Sequence, residues 1–554
     1  MGEWEAFEED RPYVLEELRK GFLDYVEVLS HVEETRFFEL LLGGGHLDGL
    51  AESYPTPRQK EEVPLAVYIA SELTLRLHGA TGFAAYPFVI HAGGLKEALR
   101  QAEVKYDAPG GRARLNCAGY NEKNEYPRQT PCHPDFLRKL ARDTDATALM
   151  RWFGQAAPRV YRDLGLLDDE GILIADGSHL FVPDNPGYEG SGVGFFDEHN
   201  HFVKDRASLT PEQAKRCRWR RYYGSVSLLH TNRAQTYSLY VGQRVLWEAE
   251  SESPSLGSMV DEAVQAMGPK RGKLLIHDKG FIDGARTARF KTDYGIDSVF
   301  PLKAGMLDWE DARRLASLDG PPWQVWRPPP PPAPVEPATR PERIRKRERK
   351  RQATLRERRA AAEAVVPPVR VDRVELKAIR SMRLWDTCSV PVHVVLLREF
   401  RTDGSCSEWA LATTREFGEP LEIWADYQLR PAIEENHRQM KCFWDLTNFR
   451  SRAYSLVVNQ TVFMVLAYSL MQCFLVKVER EDLTGVTRRR LLEQLLPTGH
   501  KVSVYRDNYV GYFTPLELLS EVLKLSEGPK RRLMGIVQRL CGSALAPPEL
   551  RNDS

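Results

Sequence analysis

The sequence predicts an α/β chain: a mixed sheet with flanking helices, interrupted by a β-rich insertion, and bounded by helical N- and C-terminal regions. Three observations predict it. Apolar residues recur at helical spacing near the start, short runs of β-branched and aromatic residues dominate the middle, and a long apolar helix leads into a basic, Leu-rich tail.

Residues 1–167 form the first region. Stretches such as LEELRKGFLDYVEVL and LAVYIASELTLRL repeat apolar residues every three to four positions, the spacing of one helix face. The Asn-, Pro- and Tyr-rich segment from Asn116 to Pro134 reads as loop. Over 168–304 the pattern changes. GILIAD, RRYYGSVSLLH and QTYSLYVGQRVLW read as three strands, SLGSMVDEAVQAM as a helix, KLLIHD as a short strand, Ala285–Lys291 as a helix and DSVFPL as a further strand. Strands joined first by hairpins and then by helices imply a mixed sheet under helical cover.

Residues 305–367 are the least globular. A proline run covers Pro328 to Pro332, and residues 340–359 hold eleven Lys or Arg against three Glu, a net charge of +8. Such a spacer reads equally as a solvated linker or as an arm for DNA phosphates. Strand signals return in 368–418 with VPVHVVLLREF and EWALATT, a helical region covers 419–480, and a helical tail runs over 481–554. Within that region Thr461–Val476 approaches the composition of a membrane span but is short and carries Ser469 and Gln472. It reads as a buried core helix, because a span needs about 20 apolar residues, and no membrane partner is expected.

Bulk composition narrows the function classes without choosing one. A chain of 554 residues that is 42% hydrophobic can bury several cores. Its 77 basic and 77 acidic residues cancel, so affinity for a polyanion has to come from local patches. Eight cysteines without a C-x-x-C pair argue against a disulfide framework or a zinc ribbon, and Cys117, Cys132 and His133 fall short of a finger. The sparse cysteines make a reducing cytoplasm the expected location, and the acidic start lacks the basic and apolar pattern of a secretion signal. The Gly43–Gly45 and Gly190–Gly194 runs lack a following Lys-Ser/Thr and read as flexible loops, so no nucleotide cofactor is expected.

The chemistry rests on carboxylates. ILIAD and LLIHD are apolar strands that each end in an aspartate, Asp176 and Asp278, and a strand fixes a carboxylate well for metal ligation. Alone, either could be a turn residue or a helix cap. A third acid, Glu434, sits in YQLRPAIEENHRQMK. On one ideal helix Tyr427, Arg430, Glu434 and Lys441 fall within an arc of about 60°, with Ile433, Met440, Phe443 and Trp444 around the other side. Pro431 either kinks that helix or marks its first turn.

The spacing Tyr427, Arg430, Glu434, Lys441 resembles the Y-R-E-K signature of bacterial DDE transposases of the insertion-sequence-four group. Asp278-Lys279-Gly280-Phe281 is similar to the family's second-aspartate motif, and Asp176-Gly177-Ser178 to its first. The resemblance covers roughly residues 170–470 and implies a ribonuclease-H-like catalytic domain. It further implies that Asp176, Asp278 and Glu434 hold two Mg2+ ions, with Mn2+ able to substitute, for cleavage at transposon ends and strand transfer into target DNA, in cut-and-paste fashion. Tyr427, Arg430 and Lys441 would contact DNA phosphates. Trp409, on the insertion's last strand, matches a base-stacking tryptophan of hairpin-forming relatives, while a core tryptophan is the alternative. The implied partners are double-stranded DNA and a second copy in a synaptic homodimer, with the N-terminal region on DNA ends, the C-terminal helices at the dimer contact, and the protein at the bacterial nucleoid. Two further readings stay open: a domesticated nuclease or recombinase, and a non-catalytic DNA-binding regulator.

Overall fold

The computed structural model describes residues 8–541 apart from 30–31, 60–62, 87–88, 90–94, 96–97, 99–131, 208, 249, 319–321, 329–369, 445, 486–500, 508 and 514. The Pro-rich and basic spacer, the 116–131 loop segment and Cys117 thus lie outside the described residues. The chain divides into two compact units, Met1–Leu275 with Arg430–Ser554, and Ile276–Leu429.

The first unit is built on the 14-residue strand Arg218–Thr231, which pairs antiparallel with Ile172–Val182 on one side and with Gly192–Phe196 and then Leu239–Val245 on the other. Continuous burial from Ile172 to Asp176 and from Tyr222 to Thr231 marks a sheet covered on both faces. Helices Ala146–Asp163 and Tyr454–Lys477 pack on Leu239–Val245 and on each other. Asp145 caps the first of these, its side chain accepting from the Ala148 N–H. Tyr454–Lys477 is long and apolar enough to cross a membrane, yet its apolar stretch is wholly buried inside the protein. Its polar groups find protein partners: the Ser469 hydroxyl accepts from the Tyr240 N–H at 2.9 Å and Asn459 donates to Glu72 at 2.9 Å. The expected core helix is therefore present.

The terminal regions are not purely helical. Glu8–Glu9, Tyr25–Leu29, Lys501–Arg506 and Tyr509–Phe513 make a four-stranded sheet that joins both ends of the sequence. Val14, Leu18, Val504, Phe513, Leu518, Val522 and Leu533 form its core. In LEELRKGFLDYVEVL the helix ends at Arg19, Gly21 turns the chain at φ +84°, and the alternation Tyr25, Val26, Glu27, Val28 is a period of two inside what reads as a longer helical run.

The second unit carries a five-stranded antiparallel sheet ordered Asp297–Pro301, Cys406–Thr413, Val392–Arg401, Val371–Met382 and Gln324–Trp326. Helices Gly284–Tyr294 and Leu307–Ser317 contribute Ala288, Ala312 and Ala316 to a core with Phe300, Val392, Val394, Leu396, Ala410 and Ala412. The strands expected as a separate insertion extend the sheet begun by Asp297–Pro301, since Thr413 pairs with Val299 and Leu411 with Pro301. The region read as spacer also starts later than expected, after helix Leu307–Ser317 and strand Gln324–Trp326.

Candidate active site

Asp176 does not end its strand. Ile172–Val182 runs through it in register with Arg218–Thr231, Asp176 facing Ser227, so Asp176-Gly177 is not a turn. A Cβ at Gly177 would lie 2.0 Å from a carboxylate oxygen of Glu252, so glycine there permits a close approach rather than a bend. Alternation along the strand sets Asp176 and Ser178 on one face. The Asp176 side chain is 12% exposed.

The signature segment is two helices rather than one. Pro420–Tyr427 closes at Gln428, and Arg430 is the N-cap of Pro431–Phe443. Pro431 takes the first helical turn, where its missing N–H costs nothing. Tyr427 therefore leaves the shared arc and belongs to the second unit, while Arg430, Glu434 and Lys441 keep one face. Ile433, Met440 and Trp444 are buried and anchor the helix, whereas the Phe443 side chain lies outside the described residues.

On that face Arg430 bridges two acids. One guanidinium nitrogen donates to Asp176 Oδ1 at 3.1 Å and the other to Glu434 Oε1 at 2.5 Å. The Lys441 ammonium donates to the Ser178 hydroxyl. His437 completes the row, its Nδ1 4.0 Å from Asp176 Oδ2. Burial, then the Lys441 and Arg430 charges, push His437 down to about 3, so at neutral pH it is an uncharged neighbour and not an ion-pair partner. Sequence reading passed over His437, although its place three residues after Glu434 and four before Lys441 is the signal that shows it.

Burial lowers the Lys441 ammonium to about 8 against the opposing pull of Asp176, and burial followed by Lys441 lowers His179 to about 4. A phosphate beside Lys441 would raise its pKa again, so DNA binding should take up a proton above pH about 8. The expected outcome is duplex affinity, measured without metal, that is flat from neutral pH to about 8 and falls above it, with Lys441→Arg abolishing the fall.

In the second unit Asp278 follows the strand Leu274–His277 at the head of the short turn Lys279–Phe281, where its side chain makes no capping bond. Its carboxylate is not used as a cap, and Phe281 is buried beneath. Trp409 is half-buried on Cys406–Thr413 rather than a core residue. It lines a cavity of about 380 Å³ with Trp309, Trp323, Arg313 and Arg398, and its ring centre lies 5.6 Å from that of Tyr427.

Among the described residues no group of three or more His, Cys, Asp or Glu side chains is assembled as a metal site. Asp176 and Glu434 nevertheless already converge on one positive centre, the Arg430 guanidinium. Carboxylate oxygens are the donors that Mg2+ prefers, so these residues suit a hard divalent cation.

Residues 169–470, more than half of the chain, match the family model described as transposase DDE domain. No curated protein matches. Among solved structures the chain is similar to a cryo-EM structure of a piggyBac transposase synaptic complex with hairpin DNA, at 8% identity and a TM-score of 0.34, over 96% of this chain and 90% of that one. A likeness at that level carries no weight for function.

Proposed function

This chain belongs to the transposase DDE domain family, and from that premise we propose that Asp176, Asp278 and Glu434 are its catalytic carboxylates in metal-dependent cleavage at transposon ends and strand transfer into target DNA. The observation that carries the proposal is the Arg430 bridge between Asp176 and Glu434, which gathers acids from a strand and a distant helix about a single cation. A ribonuclease-H-like catalytic fold, the insertion-sequence-four grouping with its Y-R-E-K signature, a cut-and-paste route and action as a homodimer at the bacterial nucleoid belong to the same reading. So does the division of the chain into an N-terminal region for DNA ends, a two-part catalytic domain and a C-terminal dimer contact.

Asp176, Asp278 and Glu434 would hold two Mg2+ ions, or Mn2+ in their place. When bound, such ions supply charge stabilisation at the phosphorus and an activated water or 3′-hydroxyl. The chain's own residues do the rest. Lys441 and Arg430 bring positive charge to the backbone phosphates. His437, uncharged, packs beside Asp176 without adding a competing cation. Tyr427 would add a phosphate contact, and Trp409, beside its cavity, would offer a face for an unstacked base.

The test is incubation of the full chain with Mg2+ and linear duplex carrying the sequences that flank its gene, with products resolved on a denaturing gel. Metal-dependent nicks at the element's ends, followed by joined products, are expected. Cleavage without joining would point to a domesticated nuclease. Binding without cleavage would point to a DNA-binding regulator.

A further inference from the structure

The long strand Arg218–Thr231 that carries Asp176's partner has an outer end that the proposed chemistry does not use. There Trp219 is 53% exposed, beside Val193 at 49% on the edge strand Gly192–Phe196. Although Gly190–Gly194 reads as a flexible loop, its last three residues belong to the strand Gly192–Phe196, paired with Phe195 facing Trp219 and Val193 facing Arg221. The Arg206 guanidinium lies 4.2 Å from the Trp219 ring centre and 5.3 Å from that of Phe195. Lys204, Lys215 and Arg218 are exposed in the same segment. Between residues 197 and 221 there are seven Lys or Arg against four Asp or Glu in a chain whose overall charge is zero.

Register relates this patch to the carboxylate. Asp176 faces Ser227, and Ser227 and Trp219 are an even number of residues apart on one strand without an intervening bulge. Both side chains therefore project from the same face. Eight residues at ~3.4 Å each separate them by about 27 Å, the rise of about eight base pairs of B-DNA.

We propose that the exposed Trp219–Arg206 stack on this sheet edge is a second contact for duplex DNA, gripping its backbone about eight base pairs from the phosphate to be cut beside Asp176. Positive charge meets polyanion, and the indole holds the guanidinium flat so that its N–H edge stays free for phosphate oxygens. This rests on the reading of the chain as a DNA-acting transposase and adds where the duplex runs.

The experiment measures binding of the full chain to a random duplex of about 30 base pairs across a salt series. Arg206→Ala should reduce the slope of log affinity against log salt by about 0.9, and Trp219→Ala should weaken binding several-fold. Lys273→Ala, at an exposed cation that pairs with Glu170 and has no part in the proposed contacts, should change neither. An unchanged slope in Arg206→Ala together with unchanged affinity in Trp219→Ala, with normal wild-type binding, would overturn this inference and leave the transposase reading standing. An equal loss at Lys273 would overturn it too, as general electrostatics. A wild type that binds no duplex would overturn both.

Discussion

Glu434→Gln is expected to reduce DNA cleavage in Mg2+ by on the order of 10²–10³-fold or more, while duplex binding persists or tightens. Glutamine keeps the size of the side chain and much of its hydrogen bonding and removes only the charge. The Glu434 side chain is 55% exposed and its pair with Arg430 is screened by solvent, so the stability cost should be within about 1 kcal/mol. A loss of activity at intact stability is then a loss of chemistry. Binding should move the other way, because a carboxylate repels phosphate until a cation arrives. Lys441→Ala is the converse: its ammonium is on the same face, so its removal should weaken binding and flatten the salt dependence by about one counterion. Parallel binding and cleavage assays over a salt series separate the two roles, and wild-type cutting by Glu434→Gln would refute the assignment.

Arg430→Ala should be the most destabilising change on the signature face, by roughly 2–4 kcal/mol in urea unfolding without metal. It would leave the Asp176 carboxylate, 12% exposed, without the guanidinium that now holds it, beside an uncharged His437. A divalent cation can take over that compensation. Mn2+ should therefore raise the Tm of Arg430→Ala by more than that of the wild type, since binding to the folded state alone stabilises by mass action. Equal stability of variant and wild type, with no difference in their response to Mn2+, would show that Arg430 is an ordinary surface cation.

How far the sequence could be read depended on what kind of signal each feature leaves. Strands such as LLIH and VHVVLL and the helix TVFMVLAYSLMQCFL were legible because their burial is continuous, and a buried run needs no long-range information to be recognised. Asp176 was legible as a strand carboxylate, but the strand's continuation to Val182 was hidden by Asp-Gly, a local turn signal that pairing with Arg218–Thr231 overrides. Tyr427 ends the preceding helix Pro420–Tyr427, and of the two readings that spacing leaves open for Pro431, a kink or a first turn, the second holds for Pro431–Phe443. The terminal sheet was missed for a different reason. Its strands Tyr25–Leu29 and Lys501–Arg506 lie far apart in the sequence and are stable only when paired, so neither shows its role alone. Nor could spacing reveal that Arg430 bridges Asp176 and Glu434, a contact between residues 254 positions apart.

Whether Asp176, Asp278 and Glu434 hold metal together can be read from iron-directed self-cleavage. Fe2+ is bound in place of Mg2+, ascorbate and peroxide generate hydroxyl radicals at the ion, and mass spectrometry maps where the chain is cut. Cuts clustered beside Asp176, Asp278 and Glu434, competed away by Mg2+ and lost together in Asp278→Asn, are the predicted result. Cuts that fall elsewhere, or that persist at residues 176 and 434 when Asp278 is replaced, would contradict it.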